Sequence, residues 1–489
     1  MLSHILLALA GSTHLAYALP LGARDDGAQA YSTNHDLAYK NSKIDAPKIG
    51  KDTSVSIRTW DLSIDDTGAG DKQVVTGFGG CVTDATVTSF GSLSSDSLNS
   101  LLEEMKHFNL LRHTIASSDL SGAPAYTYDD NNNQADPSLR GFNLGDRGNA
   151  MVSLISTMKS LNSNMHLLGS PWSPPAWMKR SRKLLGTQGN NLDDGTNLND
   201  GSKGSGYPGL SQSFADYFVK YIQAFNDAGA TVNAITIQNE PLNSKSNFPT
   251  MYVFAEESAN LINEFVGPAL RNANTSIPVW AYDHNTDRPD YPETVMNVAG
   301  DFVDATAWHC YAPTPDWNVL SEFHEKFPNK KQYMTECYTT ADLRWDQVAT
   351  FTMGPLQNWA SGAIAWTLGT DDSFGPHLDG DACQNCRGLV TANSNGYTLT
   401  NDYYVMAQFS KYIPQDATIL NGSGSYTYTD GNDNGKGIQS VASRNPDGTK
   451  TVVIWNSLDD EHYVTTTFGS GKVWSGNVPG KSVTSWILP

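Results

Sequence analysis

The 489-residue sequence is poor in charge, in cysteine and in long apolar runs. Charged residues make up 17% of it, with 32 Lys and Arg against 51 Asp and Glu, a formal net charge of −19. So little basic charge excludes nucleic acid and anionic membrane as partners, because phosphate binding needs a basic footprint. A neutral substrate remains compatible. The five cysteines are too few for a disulfide scaffold, and no second pair at metal spacing completes a zinc site. No stretch approaches the roughly 18–20 apolar residues that span a bilayer. Residues 1–18 carry no Lys, Arg, Asp or Glu at all; they hold the apolar run Ile5 to Ala10 and end in Ala16-Tyr17-Ala18, the small-residue pattern of a signal-peptide cleavage site. A secreted, extracellular protein is therefore expected, with further processing toward Arg24 left open. Two N-x-S/T sequons, at Asn274 and Asn421, fit an exported chain as glycosylation candidates, although such triplets also arise by chance.

What is present is 39% hydrophobic residue and many Gly, Asn, Ser, Thr and aromatic side chains, the composition of a globular chain rich in loops. Eight short strand candidates alternate with helical segments: Val74–Phe78, Leu110–Ile115, His166–Gly169, Ala234–Ile237, Pro278–Tyr282, Asp304–Trp308, Gln332–Thr335 and Ala363–Thr367. Leu98, Leu101, Leu102 and Met105, and then Phe214, Tyr217, Phe218, Tyr221, Ile222 and Phe225, repeat at helical spacing between them. Eightfold strand–helix alternation predicts an α/β fold, a (β/α)₈ TIM barrel. After a helix at Asp402–Tyr412 the pattern changes to short strands, Tyr426–Thr429, Gly437–Ser443, Lys450–Asn456, His462–Phe468 and Lys481–Leu488, with a turn at Asn445-Pro446-Asp447-Gly448. These predict an attached β-sandwich formed by the C-terminal segment plus an N-terminal strand near Val55–Ile57. The expected division is a signal peptide over 1–18, a polar segment over 19–52, sandwich strand over 53–72, barrel over 73–412 and sandwich over 413–489.

Polar and aromatic residues gather just after the barrel strands, on the edge where such barrels build active sites: Ser117-Ser118-Asp119, Pro171-Trp172, Asn239-Glu240, Asp283-His284, His309, Glu336 and Trp366. Long connections after strands two, three and eight also suggest a binding surface. Glu240 ends strand four ahead of Pro241, and Glu336 ends strand seven. Hydrolysis of a glycosidic bond with retention needs two carboxyl groups about 5–5.5 Å apart, and opposed rim glutamates meet that need. The alternative for either is a rim salt bridge. Trp172 and Trp366 are candidate sugar platforms, since pyranose faces pack on aromatic rings; they, and Trp177, could equally fill the core. Asp119 could accept hydrogen bonds from sugar hydroxyls or cap its own loop. His309 and Tyr311 are placed to orient Glu336, with a satisfied core histidine as the alternative. A buried Arg112 could hold a catalytic carboxylate ionised. Cys383 and Cys386 could close a local disulfide, with a redox pair or zinc half-site as the other readings. Strand parity turns Cys310 and Cys337 toward the helices, where buried thiols are expected.

Several motifs together resemble glycoside hydrolase family 30, which includes glucosylceramidases, xylanases and endo-β-1,6-glucanases. They are Gly77-Phe-Gly-Gly80, Leu111-Arg112 through Ser118-Asp-Leu-Ser121, Gly169-Ser-Pro-Trp-Ser-Pro-Pro-Ala-Trp-Met-Lys179, Gln238-Asn-Glu-Pro241, Thr335-Glu-Cys337 and Phe409-Ser-Lys-Tyr-Ile-Pro414. The resemblance implies retention, with Glu240 as acid/base and Glu336 as nucleophile. It assigns Asn239 to the sugar 2-hydroxyl, and Asp119, Trp172 and Trp366 to the glucose-binding subsite. Ala123-Pro-Ala-Tyr-Thr-Tyr-Asp-Asp130 with Ile237-Gln-Asn-Glu-Pro-Leu-Asn243 looks like the fungal endo-β-1,6-glucanase branch, implying a pustulan-type β-1,6-glucan of fungal cell walls as substrate. The rivals are an exo-acting β-glucosidase or glucosylceramidase, a xylanase, and a non-catalytic glycan-binding protein. No cofactor or metal is expected, because protonation and carboxylate attack need none, and the protein is expected to act as a monomer.

Overall fold

The computed structural model describes residues 27–489 except 52–59, 187–189, 194–209, 244–246, 276, 314–315, 343, 381 and 424–436. The signal segment and the strands expected at Val55–Ile57 and Tyr426–Thr429 lie outside the described residues. Eight parallel strands close a barrel in sequence order: β1 (Gly77–Val82), β2 (Leu110–Ile115), β3 (His166–Pro171), β4 (Ala234–Ile235), β5 (Val279–Asn285), β6 (Val303–His309), β7 (Lys331–Tyr338) and β8 (Ala360–Trp366), with β8 pairing back to β1. Each falls on an apolar run picked out from the sequence. The first is displaced toward Val82, because Asp71–Val74 is a separate strand that pairs with Thr418–Ser423 of the second domain.

The barrel is packed through its axis. Leu110, Leu168, Ala234, Trp280, Tyr333 and Ile364 share one inner cluster. Trp280 and Tyr333 stack with ring centroids 3.9 Å apart, and the Tyr333 hydroxyl hydrogen-bonds Thr76 Oγ1 at 2.8 Å, plugging the floor. Filling the axis leaves the wider C-terminal mouth as the place where polar side chains converge. On the outside, the helix Leu210–Asp227 buries Phe214, Tyr217, Phe218, Tyr221, Ile222 and Phe225 on one face. The helix Ser95–Met105 buries Leu101, Leu102 and Met105 and is capped by Ser94, whose hydroxyl accepts from Ser97 N–H. Serine at this position satisfies a donor that the first turn would otherwise leave free.

The second domain is a mainly antiparallel sandwich whose strands come from both ends of the chain. Thr418–Ser423, Ile438–Arg444, Lys450–Asn456, His462–Phe468, Val473–Val478 and Ser482–Leu488 supply the C-terminal part, and Trp60–Asp65 inserts beside His462–Phe468. The segment expected to be merely polar, 19–52, is corrected here. Gln29–Asn34 pairs along its whole length with Ser482–Leu488, Ser42–Ile44 extends that sheet, and Lys48–Ile49 edges the other beside Val473–Val478. Its polar composition concealed a buried strand, because Ser32 and Thr33 are buried with their hydroxyls satisfied, Ser32 by Thr484 at 2.9 Å and Thr33 by the Tyr404 carbonyl at 3.3 Å. The strand Val473–Val478 was also missed. Gly476 interrupts its pattern where Pro47 crosses closely enough that a Cβ would stand 3.1 Å from the Pro47 Cα.

Parity was right about Cys310 and Cys337 but not about their state, since they join β6's end to β7 as a disulfide rather than remaining thiols. Adjacent parallel strands bring their Cα atoms to 5.5 Å, within disulfide range.

Glycine is obligatory where β8 meets β1. A Cβ on Gly362 would collide with the Gly77 carbonyl oxygen and with Leu110. Gly362→Ala should therefore cost about 1–3 kcal/mol of stability, the usual scale of overpacking, read as a lowered midpoint in chemical denaturation.

Candidate active site

Arg112, on β2, is fully buried at the centre of the mouth. Nη1 donates to Glu336 Oε2 at 2.6 Å; Nη2 donates to Asp283 Oδ2 at 2.7 Å, to Asn239 Oδ1 at 2.6 Å and to Ser170 Oγ at 3.2 Å. One guanidinium thus ties together strands two, three, five and seven and the end of strand four. Asp283 completes the hub. Its Oδ2 accepts from Ser170 at 2.6 Å and Thr236 at 2.9 Å, and its Oδ1 from Thr335 at 2.7 Å and His309 Nε2 at 3.0 Å. Burial works against its ionisation, but Arg112, followed by His309 and Ser170, holds its carboxyl far below the carboxylate range.

Two backbone irregularities aim these groups. Tyr282 and Asp283 both have left-handed backbone, φ +78° and +65°, where β5 slips register against β6. Glu240, at φ +46°, is pinned by its N–H to the Asp283 carbonyl at 3.0 Å. Non-glycine residues seldom adopt such angles, and they concentrate at functional sites.

Glu240 and Glu336 face each other across the mouth, and one carboxylate oxygen of each, with a ring nitrogen of His309, falls within 4.8 Å of the others. That separation suits two carboxyls on either side of one anomeric carbon. Glu336 receives Tyr311 Oη on Oε1 at 3.0 Å as well as Arg112 on Oε2, and its two donors together favour the ionised form. Burial nonetheless raises its pKa, opposed by His309 and Arg112. Glu240 accepts Asn243 Nδ2 at 2.6 Å and faces His309 Nδ1 at 3.5 Å and His284 Nε2 at 3.8 Å. Burial would raise its pKa too, but His284 and the hydrogen bonds from His309 and Asn243 prevail and hold it at about 2. His309 is shifted toward its protonated form: burial opposes this, yet Glu336, Asp283 and Glu240 together push the imidazole up to about 9. The order of acidity is thus the reverse of the one expected of Glu240 as acid and Glu336 as nucleophile.

The other expected residues surround this pair. Asn239 has its Oδ1 held by Arg112. Trp172 and Trp366 are brought together, stacked at 5.0 Å, with the Arg112 guanidinium 4.8 Å from the Trp172 ring. At 2% and 3% exposed they form the floor of the mouth rather than open shelves. Asp119 is buried above them; burial, with Glu336 next, pushes its carboxyl up to about 7, and the Cys383 N–H approaches its Oδ2 at 3.5 Å. Cys383 and Cys386 are disulfide-bonded, and Leu378, Ala382 and Cys386 join the cluster around Trp366, so this ring packs on the site. Trp177 is fully buried with its indole donating to the Asp129 carbonyl at 2.8 Å, away from the carboxylate pair. Asn274 and Asn421 are exposed. Asp283, Ser170, Thr236, Thr335, His284 and Asn243 were given no role from the sequence; the signals were the strand-end placement of Asp283-His284 and the lie of Ser170, Thr335 and Asn243 within the resembling motifs.

Glu240, His309 and Glu336 are near enough to ligate a metal. The donor set argues against it, because Arg112 already neutralises Glu336 and the surrounding carboxylates push the His309 imidazole toward its protonated form, which has no lone pair to offer.

The glycosyl hydrolase family 30 TIM-barrel domain model matches residues 75–413. The chain belongs to glycoside hydrolase family 30. The family's β-sandwich model follows at 424–486. This family-30 chain is 56% identical to an endo-1,6-β-D-glucanase of Aspergillus fumigatus over 99% of its own length and 98% of the relative's. It is 53% identical to one from Trichoderma harzianum, over 99% of both chains. Among solved structures it is similar to the endo-β-1,6-glucanase BT3312, with a TM-score of 0.77 and 26% identity over 94% of this chain and 99% of that one.

Arg112→Ala would leave Asp283 and Glu336 buried without their counter-charge, so a loss of about 3–5 kcal/mol is expected in denaturation. The pH dependence follows from His309. Its folded pKa of about 9 lies above the ordinary 6.5, so its stabilisation is complete below 6.5 and is lost as pH rises through about 9. Asp283, displaced downward, instead holds its contribution above 3.8 and loses it only under strong acid. The melting temperature should fall between pH 6.5 and 9, and His309→Gln should flatten that decline.

Proposed function

We propose that the protein is a retaining endo-β-1,6-glucanase acting by double displacement, with Glu336 as nucleophile and Glu240 as acid/base. The observation that carries the chemistry is the approach of the two carboxylates within 4.8 Å, one of them clamped by Arg112 and Tyr311. A carboxylate held by two donors keeps its attacking oxygen fixed and ionised. Glu336 attacks the anomeric carbon while the glycosidic oxygen takes a proton from Glu240, giving a glycosyl ester and a free hydroxyl on the leaving sugar. Glu240 then removes a proton from water, which attacks the same carbon and releases Glu336 as carboxylate.

Glu240 must be protonated for the first step. His309 Nδ1, 3.5 Å from Glu240 Oε1, is the nearest store of that proton. A sugar that displaces water from the mouth destabilises the Glu240 carboxylate and draws the proton across, leaving a neutral imidazole on Asp283. Asn239 is placed to donate to the 2-hydroxyl, Asp119 to bind further hydroxyls, and Trp172 and Trp366 to floor the glucose site.

The linkage rests on the names of the 56% and 53% identical relatives and of the structural neighbour, all called endo-1,6-β-glucanases. The substrate class is a polysaccharide, here pustulan-type β-1,6-glucan of fungal cell walls. No described helix is long and apolar enough to cross a membrane, and the apolar first eighteen residues support export. The exposed Asn274 and Asn421 are the corresponding glycosylation sites.

Digestion of pustulan beside laminarin, xylan and glucosylceramide should release short oligomers early from pustulan alone, and glucose as sole early product would refute endo action. Proton NMR should find the β anomer first. Glu240→Ala and Glu336→Ala should each lower turnover by about 10³-fold or more while remaining folded. Azide should then separate the roles, restoring Glu240→Ala through a β-glycosyl azide and Glu336→Ala through an α-glycosyl azide.

A further inference from the structure

The connection after β2 contains an acidic turn that the catalytic reading does not use, Asp129-Asp130-Asn131-Asn132-Asn133-Gln134-Ala135-Asp136. Its three asparagines are successively left-handed, with φ of +40°, +51° and +60°. The reversal gathers side-chain oxygens around Gly141. A Cβ at that glycine would stand 2.7 Å from Asp129 Oδ1, 3.4 Å from Asp136 Oδ2 and 3.7 Å from Asn131 Oδ1. Asn131 donates through Nδ2 to the Gln134 carbonyl at 3.0 Å, which leaves its Oδ1 on the side of the cluster. Asp136 Oδ2 accepts the Gly141 N–H at 2.6 Å, and among the described residues its other oxygen has only the exposed Arg140, at 3.9 Å. Asp130 is turned to Thr127.

Asp129 is the anomaly. It is 2% exposed, and neither carboxylate oxygen has a hydrogen-bond partner among the described residues. A buried carboxylate without a donor or counter-charge is among the costliest arrangements a protein keeps. Burial first, then Asp136 and Asp130, push its pKa to about 6; Lys220, whose ammonium lies 5.8 Å from the Phe142 ring centroid, opposes them without making a contact to either oxygen.

We propose that Asp129, Asp136 and Asn131 form a site for a divalent cation of the calcium type, which neutralises Asp129 and fastens the turn. The donors are two carboxylates and an amide carbonyl, with no thiolate or imidazole, the set a hard cation selects. Calcium accepts such a partial set, completing its shell with water at flexible angles, whereas magnesium demands a near-ideal octahedron. Gly141 is needed because any side chain would occupy the space between the oxygens. The site touches no reacting group. Its effect is mechanical: the Asp129 carbonyl holds the Trp177 indole at 2.8 Å, and Asn133 Nδ2 holds the Arg182 carbonyl at 3.0 Å, so the cation braces the connections after β2 and β3, one wall of the mouth.

The test is the melting temperature of the full chain, stripped with EDTA and then titrated at neutral pH with calcium or magnesium chloride to millimolar concentration. Calcium should raise it by about 2–5 °C, more than magnesium does, and Asp129→Asn and Gly141→Ala should lose the shift. Equal melting in calcium and EDTA overturns the proposal, and so does an undiminished shift in both variants. Should the variants not fold, terbium serves with the unaltered protein. Trp177 lies against Asp129, so excitation of tryptophan should sensitise terbium emission that calcium displaces, and a lack of calcium-sensitive emission overturns the site.

Discussion

The catalytic mouth depends on one buried guanidinium. Arg112 contacts a carboxylate on β5, another on β7, a serine on β3 and the asparagine that precedes Glu240. Removing two carboxylates and a guanidinium from water is expensive, and only dense mutual hydrogen bonding offsets it. The hub is therefore rigid by necessity, because displacing any one partner strands a charge. Rigidity of this kind is what positioned catalysis requires, since an error of about an ångström between reacting groups costs orders of magnitude in rate. The same network explains why Asp283 touches no expected reacting atom yet governs the site: it fixes His309 through Nε2 and so presents Nδ1 to both glutamates.

Much of this was legible beforehand, and for identifiable reasons. Apolar runs bounded by polar strand ends mark parallel barrel strands, so all eight were located, and the glutamates after strands four and seven followed from counting. The hub was not legible, because it depends on left-handed backbone at Tyr282 and Asp283 and on a register slip between β5 and β6. Residue parity along a regular strand has no means of anticipating such a slip. The tryptophans illustrate another limit. Sequence left Trp172 and Trp366 as sugar platforms or core fillers, and the structure buries them against each other. Burial in the free molecule and contact with a sugar are compatible when the ring forms the floor of a narrow mouth.

In the sandwich the failure was compositional. Gln29–Asn34 read as part of a polar segment because three of its four buried positions are Ser, Thr and Asn. Hydroxyl pairs such as Ser32 with Thr484 satisfy those groups across the sheet, so the strand stays buried with little apolar surface. Helix Asn401–Ser410 then lies between barrel and sandwich, with Ser485 Oγ donating to the Gln408 carbonyl at 2.8 Å and Tyr412 stacked on Tyr31 at 4.9 Å. Tyr31 and Thr33, from the segment expected to be polar, thus share in holding the two domains together.

That pairing of Gln29–Asn34 with Ser482–Leu488 also governs how the molecule comes into being. The partners Ser32 and Thr484 are 452 residues apart, and the last strand sits between the first and Lys450–Asn456. During synthesis every barrel strand leaves the ribosome before the sandwich obtains its closing member. A long interval therefore exists in which the early strand waits with an open edge, and long-range pairing of this kind is intrinsically slow. Only a chain translated through Ser482–Leu488 can cover the edge of Gln29–Asn34, so the barrel is made before that edge finds its partner.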